Sequence, residues 1–331
     1  MPFRVAIRAD GNSEIGFGHI IRTQALARQL EKCGVKVFFL TINPENVDGF
    51  ATIKIPGDYN ADREDRLTRR ITKDISAGIL IIDSYAFNQE RLDKISRLEL
   101  VSVYIDDMNL YKFNTTFVVN GNLYAPQLNY RGQAQFLLGN QYLLLREQFT
   151  NILPRVVQPH VGDIMLTFGA ADMNNLTATI LKKLKTFTRF LNFNWHVIIG
   201  PAFRQKSDIE AVAHYCNNVI LHYNPDVKNL MKICDICISA AGSTTYELAA
   251  CGLPSIVIVA ADNQSMLAEE AHRQGMALNL GRFDRINSED LYRIVHRLTD
   301  DYELRKSMAI AGQKIIDGYG AVRAARTLLN L

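Results

Sequence analysis

Cysteine is scarce in this chain of 331 residues: there are five, and no second pair accompanies the lone Cys234-x-x-Cys237. An odd, sparse count argues against a disulfide framework and fits a reducing compartment, so the expected location is the cytoplasm. The pair lies where a strand begins (Ile233, Ile236, Ile238), and core packing is read ahead of a redox or metal role. The seven histidines show no H-E-x-x-H or other ligand spacing, so no metal is expected. An excess of charge is also missing. Lys+Arg 37 against Asp+Glu 34 leaves +3, too balanced to point to nucleic acid or an anionic membrane. The longest apolar run, around 253–261, is far short of a bilayer span. The opening stretch Met1-Pro2-Phe3-Arg4-Val5-Ala6-Ile7-Arg8 lacks the apolar core of a signal peptide, so no stable membrane insertion is expected. The common nucleotide signatures are absent as well. Gly16-Phe17-Gly18-His19-Ile20-Ile21 has isoleucine where the third glycine of G-x-G-x-x-G belongs, and no acidic residue ends the next strand, Val35–Leu40. Gly11 and Gly16 have the spacing of a phosphate loop, but Phe17 and Gly18 replace its lysine and hydroxyl. Hydride transfer and ATP hydrolysis therefore recede, and no cofactor is expected.

What the chain does have is a repeated βα rhythm. Strand patterns at Phe3–Ala9, Val35–Leu40, Gly78–Ile82, Leu100–Ile105 and Phe117–Val119 alternate with helical patterns at Arg22–Cys33, Ala61–Ser76 and Asn88–Leu98. A second series runs through Asp163–Phe168, Trp195–Ile199, Val219–Leu221, Ile236–Ser239, Ser255–Val259 and Ala277–Leu280. Its helices are Asn174–Phe187, Asp208–Tyr215, Asp226–Lys232, Thr244–Cys251 and Gln264–Gln274. Between the series lies a stretch with Pro154, Pro159 and Gly162 and no periodicity. The expectation is an α/β chain of two Rossmann-like, doubly wound domains, 1–153 and 163–331, joined by a linker at about 154–162 and facing across a ligand cleft. A terminal helix, Ala321–Leu329, fits on either half. The oligomeric state is not legible.

Two glycine turns carry the chemistry. In the first, a strand and a polar loop (Asp10–Glu14) lead through Gly16 and Gly18 to His19 on the first turn of a helix with apolar Ile20, Leu26, Ala27 and Leu30. Unpaired N–H groups and the positive helix end keep such an imidazole neutral, and exposed at the mouth of the sheet it can take a proton from water or a hydroxyl. In the second, a buried strand runs into Ala240-Ala241-Gly242-Ser243-Thr244, then a short helix closed by Gly252 and Pro254. Small residues admit an anion to the backbone, and the Ser243 and Thr244 hydroxyls add donors for a phosphate. Glu247, one turn on, can take a ribose diol, and it can equally close a capping box. A third small-residue turn, Gly169-Ala170-Ala171-Asp172, follows another strand. Asp10, Asp83, Asp106 and Asp107 end strands of the first half, where capping is the competing reading. Tyr85 can meet a sugar hydroxyl. Asp262 suits an N-cap that turns Asn263 and Gln264 toward a ligand. His196 and His222 read as core or surface residues.

With these residues in view, the chain resembles the UDP-sugar hydrolases of pseudaminic acid biosynthesis and their spore-coat polysaccharide relatives. Arg8-Ala9-Asp10-Gly11 with Ile15-Gly16-Phe17-Gly18-His19-Ile20-Ile21-Arg22 carries the match. So do Asp83-Ser84-Tyr85, Ile105-Asp106-Asp107, Ala241-Gly242-Ser243-Thr244-Thr245-Tyr246-Glu247-Leu248 and Asp262-Asn263-Gln264. The resemblance implies a GT-B-like fold and metal-independent hydrolysis of UDP-2,4-diacetamido-2,4,6-trideoxy-β-L-altropyranose to UDP and the free sugar. It makes His19 the residue that activates water, with inversion at the anomeric carbon, and counts Tyr85 and Asn263, near the sugar, with it as catalytic residues. It assigns Gly242, Ser243, Thr244 and Glu247 to UDP, with Asp10, Gly16, Gly18, Arg22, Gly169 and Gln264 as further substrate contacts. Gly169-Ala170-Ala171-Asp172-Met173 departs from the family's Gly-Gly-Ser-Asp-Pro, and Ala241 replaces a common glycine. A glycosyltransferase with a UDP-sugar donor and a nucleotide-sugar-binding module without turnover are the alternatives.

Overall fold

The computed structural model describes residues 3–12 and 15–330. Residues 13 and 14 of the expected polar loop Asp10–Glu14, the first two residues of the opening stretch, and residue 331 lie outside the described residues. The chain divides into two compact units, residues 1–147 with 318–331, and residues 148–317.

The first unit runs β1 (Arg4–Ala9), α1 (Gly18–Lys32), β2 (Lys36–Thr41), β3 (Ala51–Lys54), α2 (Ala61–Asp74), β4 (Ile79–Asp83), α3 (Gln89–Ser96), β5 (Val101–Ile105), β6 (Lys112–Phe113), β7 (Phe117–Asn120), β8 (Arg131–Gly132) and β9 (Gln135–Leu138). Seven strands form one parallel sheet in the order β3-β2-β1-β4-β5-β7-β9, and β6 pairs with β8 apart from it. The strands read as continuous apolar runs because both faces are covered. Val5, Ile7, Ile79 and Ile81 pack under α1 with Ile20, Leu26 and Leu30, while Ala6, Leu80 and Ile82 pack on the other face with Leu92 and Ile95 of α3.

The second unit runs β10 (Asp163–Thr167), α4 (Leu176–Lys185), β11 (Asn194–Ile199), α5 (Ser207–Tyr215), β12 (Val219–Tyr223), α6 (Val227–Ile233), β13 (Ile236–Ala240), α7 (Thr244–Ala250), β14 (Ser255–Val259), α8 (Ser265–Arg273), β15 (Ala277–Arg282), α9 (Ser288–Asp300) and α10 (Tyr302–Ile315). Its six strands are parallel in the order β12-β11-β10-β13-β14-β15. Trp195, Phe190 and Phe193 anchor the core on one face. Counted within each unit, both sheets begin with the strand order 3-2-1-4-5 of doubly wound folds, which reverses direction beside the first strand. That reversal falls between β1 and β4 in one unit and between β10 and β13 in the other. Ligands of such sheets gather beyond the strand ends at that point.

Three expectations need correction. The terminal helix α11 (Gly320–Leu328) does not close the 163–331 half: Ala321, Ala324, Ala325 and Leu328 pack with Leu26, Ala27 and Leu30 in the core of the first unit. Close approach makes this possible, since Gly320 lies against the backbone of Leu143. Residues 154–162, expected as the linker, are fastened within the second unit. Arg155 donates to the carbonyls of Met231 and Cys234, and wholly buried Arg305 donates to those of Gln158 and Pro159. Asp262 is not the cap of α8. That helix starts after Gln264 without a side-chain cap, and Asp262 pairs instead with Arg282. Cys234 and Cys237 are fully buried, and burial pushes both thiols up from their ordinary range. Among the described residues, no helix is long and apolar enough to cross a membrane.

Candidate functional site

The first unit's strand ends hold a charged cluster. β1 leaves the sheet at Asp10, and Gly16, at φ +81°, turns the chain into α1. A side chain there would be strained by its positive φ, which glycine alone adopts freely. The helix begins at Gly18, with no side-chain cap hydrogen bond among the described residues, and Gly18 is exposed. His19 is the helix's second residue, and it is buried, not exposed as the sequence reading expects, because its ring packs on Tyr85 and Asp83. Its Nδ1 lies 2.5 Å from Oδ1 of Asp83, the last residue of β4, whose side chain is fully buried. Nε2 has no partner among the described residues. Arg22, one turn along α1, donates through Nε to Asp83 Oδ2 and through Nη2 to Asp83 Oδ1, both at 2.6 Å. Its Nη1 donates to both oxygens of Asp107 at 2.7 and 2.9 Å.

Tyr85 completes the cluster. Its ring stands edge-on to the His19 ring with centroids 4.6 Å apart, and its hydroxyl donates to Asp107 Oδ2 at 2.8 Å. Burial followed by the charge of Asp107 pushes the phenol above its usual range. For Asp107, burial works against ionisation, but the Arg22 guanidinium and the hydrogen bonds it receives hold its carboxyl down at about 2. Burial works against the charge of Arg22 too, and Asp107 and Asp83 more than restore it. Two carboxylates thus face one guanidinium, and the imidazole sits on the carboxylate that Arg22 leaves less than fully balanced.

Asp83 was legible only as a strand-end acid with capping as the rival reading. Capping is not its role, since its partners are His19 and Arg22, and α3 is capped by Asn88. Asp107 likewise carries a role that no local pattern announces. The usable signal was positional: both acids end strands that follow the reversal beside β1. Asp106 does match the turn reading, accepting from the Asn109 N–H at 2.8 Å.

Asp10 stands apart from this cluster. Its carboxylate is taken up by Arg8 at 2.5 Å, the Thr41 hydroxyl at 3.0 Å and the Ile42 N–H at 2.8 Å. Arg8 in turn pairs with Glu64, and Glu64 with Arg91, both buried. Asp10 therefore ties the glycine loop to β2 rather than presenting a free carboxylate.

In the second unit, Gly169, at φ +79°, follows β10, and Asp172 accepts from the N–H groups of Leu176 and Thr177 at 2.8 Å. The end of β13 is the more open feature. Gly242 is half-buried, Ser243 exposed and Thr244 half-buried. Ser243 makes no capping hydrogen bond, so the capping-box reading is not realised there. The N–H groups of Gly242, Ser243 and Thr244 have no partner among the described residues. Gln264 lies beside this loop: its Nε2 is 3.8 Å from where a Cβ on Gly242 would stand, and its Oε1 accepts from Ala260 N–H at 2.9 Å. Asn263 is exposed in the same turn, and Glu247 is buried one turn into α7. The sequence-derived residues thus separate into a proton-handling group (His19, Arg22, Tyr85, with Gly16 and Gly18) and a small-residue, hydroxyl-bearing group (Gly242, Ser243, Thr244, Glu247, Asn263, Gln264).

Residues 164–317 match the glycosyltransferase family 28 C-terminal domain. The chain is a homologue of the spore coat polysaccharide biosynthesis protein SpsG of Bacillus subtilis, with 24% identity over 342 residues, 99% of this chain and 98% of that protein. It is 27% identical over 283 residues to an uncharacterized protein of Methanocaldococcus jannaschii, covering 77% of this chain but only 55% of that protein. The UDP-2,4-diacetamido-2,4,6-trideoxy-beta-L-altropyranose hydrolase of Campylobacter jejuni is 27% identical over 188 residues, 55% of this chain and 65% of that protein. Among solved structures, MurG of Acinetobacter baumannii covers 100% of both chains with a TM-score of 0.71 at 14% identity. The fold is thus α/β and GT-B-like.

Proposed function

We propose that this chain hydrolyses a UDP-sugar, with UDP-2,4-diacetamido-2,4,6-trideoxy-β-L-altropyranose as the expected substrate and His19 as the general base. The observation that carries the proposal is the 2.5 Å contact from His19 Nδ1 to buried Asp83. A carboxylate that accepts the Nδ1 proton fixes the tautomer with the lone pair on Nε2, the nitrogen left without a partner. Water gives a proton to Nε2 as its oxygen forms a bond to the anomeric carbon. The bond from that carbon to the UDP oxygen breaks, UDP leaves with the electron pair, and the anomeric centre inverts. The imidazolium formed in this step supplies the positive charge that the Asp83–Arg22–Asp107 cluster lacks. On the second unit, the open N–H groups of 242–244 and the Ser243 and Thr244 hydroxyls are suited to the departing phosphate. Glu247 is assigned to the ribose, and Asn263, Gln264 and Tyr85 to the sugar.

The decisive experiment mixes the purified chain with this UDP-sugar, adds no acceptor, and follows UDP and the released anomer by NMR. His19→Asn should lower the rate by about 10²–10⁴, the usual worth of general-base help, with UDP affinity retained. A variant that keeps more than about a tenth of the wild-type rate sinks the base assignment. The match of 164–317 to a glycosyltransferase domain favours one second reading, transfer of the sugar to an acceptor hydroxyl. UDP release only when an acceptor is present would select it.

A further inference from the structure

We propose that Asp107 is a positioning residue that turns Tyr85 into a hydrogen-bond acceptor, so that the site selects a sugar presenting an uncharged O–H or N–H donor to Tyr85 Oη. The inference rests on the hydrolase reading above and adds a specificity element to it. Asp107 follows β5, and three side chains converge on it. Arg22 Nη1 reaches both oxygens, Tyr85 Oη donates to Oδ2, and Asn122 Nδ2 donates to Oδ1 at 2.9 Å. Arg22 and the Asn122 amide nitrogen can only donate, and with both carboxylate oxygens receiving from them the arrangement fits an ionised carboxylate to which Tyr85 also donates.

The anchorage continues inward. Asn122 Nδ2 also donates to Oδ1 of Asn120, which is fully buried, and Asn120 Nδ2 donates to the Tyr130 hydroxyl, each at 2.8 Å. Asp107 therefore cannot swing toward a ligand without breaking a buried network. A phenol has one proton, and here Asp107 takes it. What Tyr85 keeps for a ligand is oxygen lone pairs, on a side chain that is half-exposed beside His19. With its phenol pushed above the ordinary range, Tyr85 is neither acid nor base at neutral pH. A sugar hydroxyl or an acetamido N–H satisfies such an acceptor. A sugar carboxylate would meet lone pairs and, behind them, a second negative charge.

The test has two arms. In the first, which needs no substrate, the protein carries ¹³C-labelled tyrosine, and Tyr85→Phe assigns the Tyr85 signal in a pH titration by NMR. In Asp107→Asn the Tyr85 midpoint should fall by about one pH unit or more, as expected when a neighbouring unit charge is removed. An unchanged midpoint in a folded Asp107→Asn protein overturns the proposal. The second arm uses the wild-type background and so does not depend on that variant folding. Tyr85→Phe should raise KM for the UDP-sugar about tenfold, the worth of one hydrogen bond, with kcat within about threefold. A hundredfold loss in kcat at unchanged KM overturns it, because Tyr85 would then be moving a proton. If the UDP-sugar is not hydrolysed at all, the proposed function fails, while the titration still decides whether Asp107 holds the phenol.

Discussion

Asp83→Asn is the sharpest perturbation of the proposed mechanism, because it changes one atom and leaves the shape of β4 intact. The carboxylate of Asp83 meets three donor contacts: His19 at Nδ1, and Arg22 at Nε and Nη2. An amide in its place must turn its NH₂ toward one of them. Facing Arg22, it opposes donor to donor. Facing His19, in the place of Oδ1, it opposes Arg22 Nη2 as well and forces the imidazole into the tautomer that protonates Nε2, which abolishes the base. The electrostatic loss can be sized as well. An imidazolium and a carboxylate with centres about 4 Å apart, at an effective dielectric of about 20, attract by about 4 kcal/mol. Arg22 already shares this carboxylate, so about half of that is a reasonable lower figure, and kcat should fall roughly 30- to 1,000-fold. Single-turnover UDP release is the assay, with ¹⁵N NMR of the His19 ring reporting the tautomer and circular dichroism the fold. A folded Asp83→Asn protein that keeps kcat within about threefold of wild type would refute the argument.

Gly242→Ala probes the other unit. Among the described residues a Cβ there has only Gln264 Nε2, at 3.8 Å, as a neighbour, so the methyl group meets ordinary van der Waals contact. Stability should change by less than about 0.5 kcal/mol, while a methyl facing the phosphate loop should weaken UDP binding about tenfold or more by calorimetry. Unchanged UDP affinity would remove that loop from the nucleotide site. Acid stability reports on Asp107. Its native carboxyl is held at about 2, below the ordinary value, so the unfolded chain binds more protons as the pH drops. This contribution is complete above about pH 4, is lost as the pH falls from about 4 to 2, and amounts to about 2 kcal/mol. Denaturant melts of Asp107→Asn should show a flatter pH dependence across that window than the wild type, and an equal slope would contradict the assignment.

Most of the fold could be read from periodicity, because parallel strands covered on both faces are unbroken apolar runs bounded by turns. β1, β4, β10, β13 and β14 each stand within about a residue of where their apolar runs place them. The short edge strands β3 and β9 escaped for the converse reason. Ala51–Lys54 is exposed along most of its length, so no apolar run marks it. The helices α9 and α10 lie beyond the last recognised strand, where amphipathic spacing without a neighbouring βα unit was passed over. The destination of α11 was open in principle, since an apolar face such as Ala321, Ala324, Ala325 and Leu328 fits any complementary groove, and only tertiary packing on α1 settles it.

The site divides along the same line between local and non-local information. Gly16, Gly18 and His19 are three positions in one turn, and Gly242, Ser243 and Thr244 three in another, so adjacency in sequence reveals them. Asp83 and Asp107 become functional only through partners 64 and 85 residues away, a coupling that no local pattern encodes. That coupling also bears on the charge of each unit's candidate residues under the proposed function. The acids Asp83, Asp106 and Asp107, against one guanidinium from Arg22, give the first unit's strand ends a negative balance that repels a pyrophosphate. The 240–244 loop carries no charged side chain and presents open N–H groups with two hydroxyls, which suits an anion. Placing a negative charge in that loop tests the division directly. Ser243→Asp should abolish UDP binding by calorimetry without altering the pH profile of the first unit's tyrosines. Persistence of UDP affinity in that variant would transfer the phosphate to the first unit and dissolve the division of labour argued from these charges.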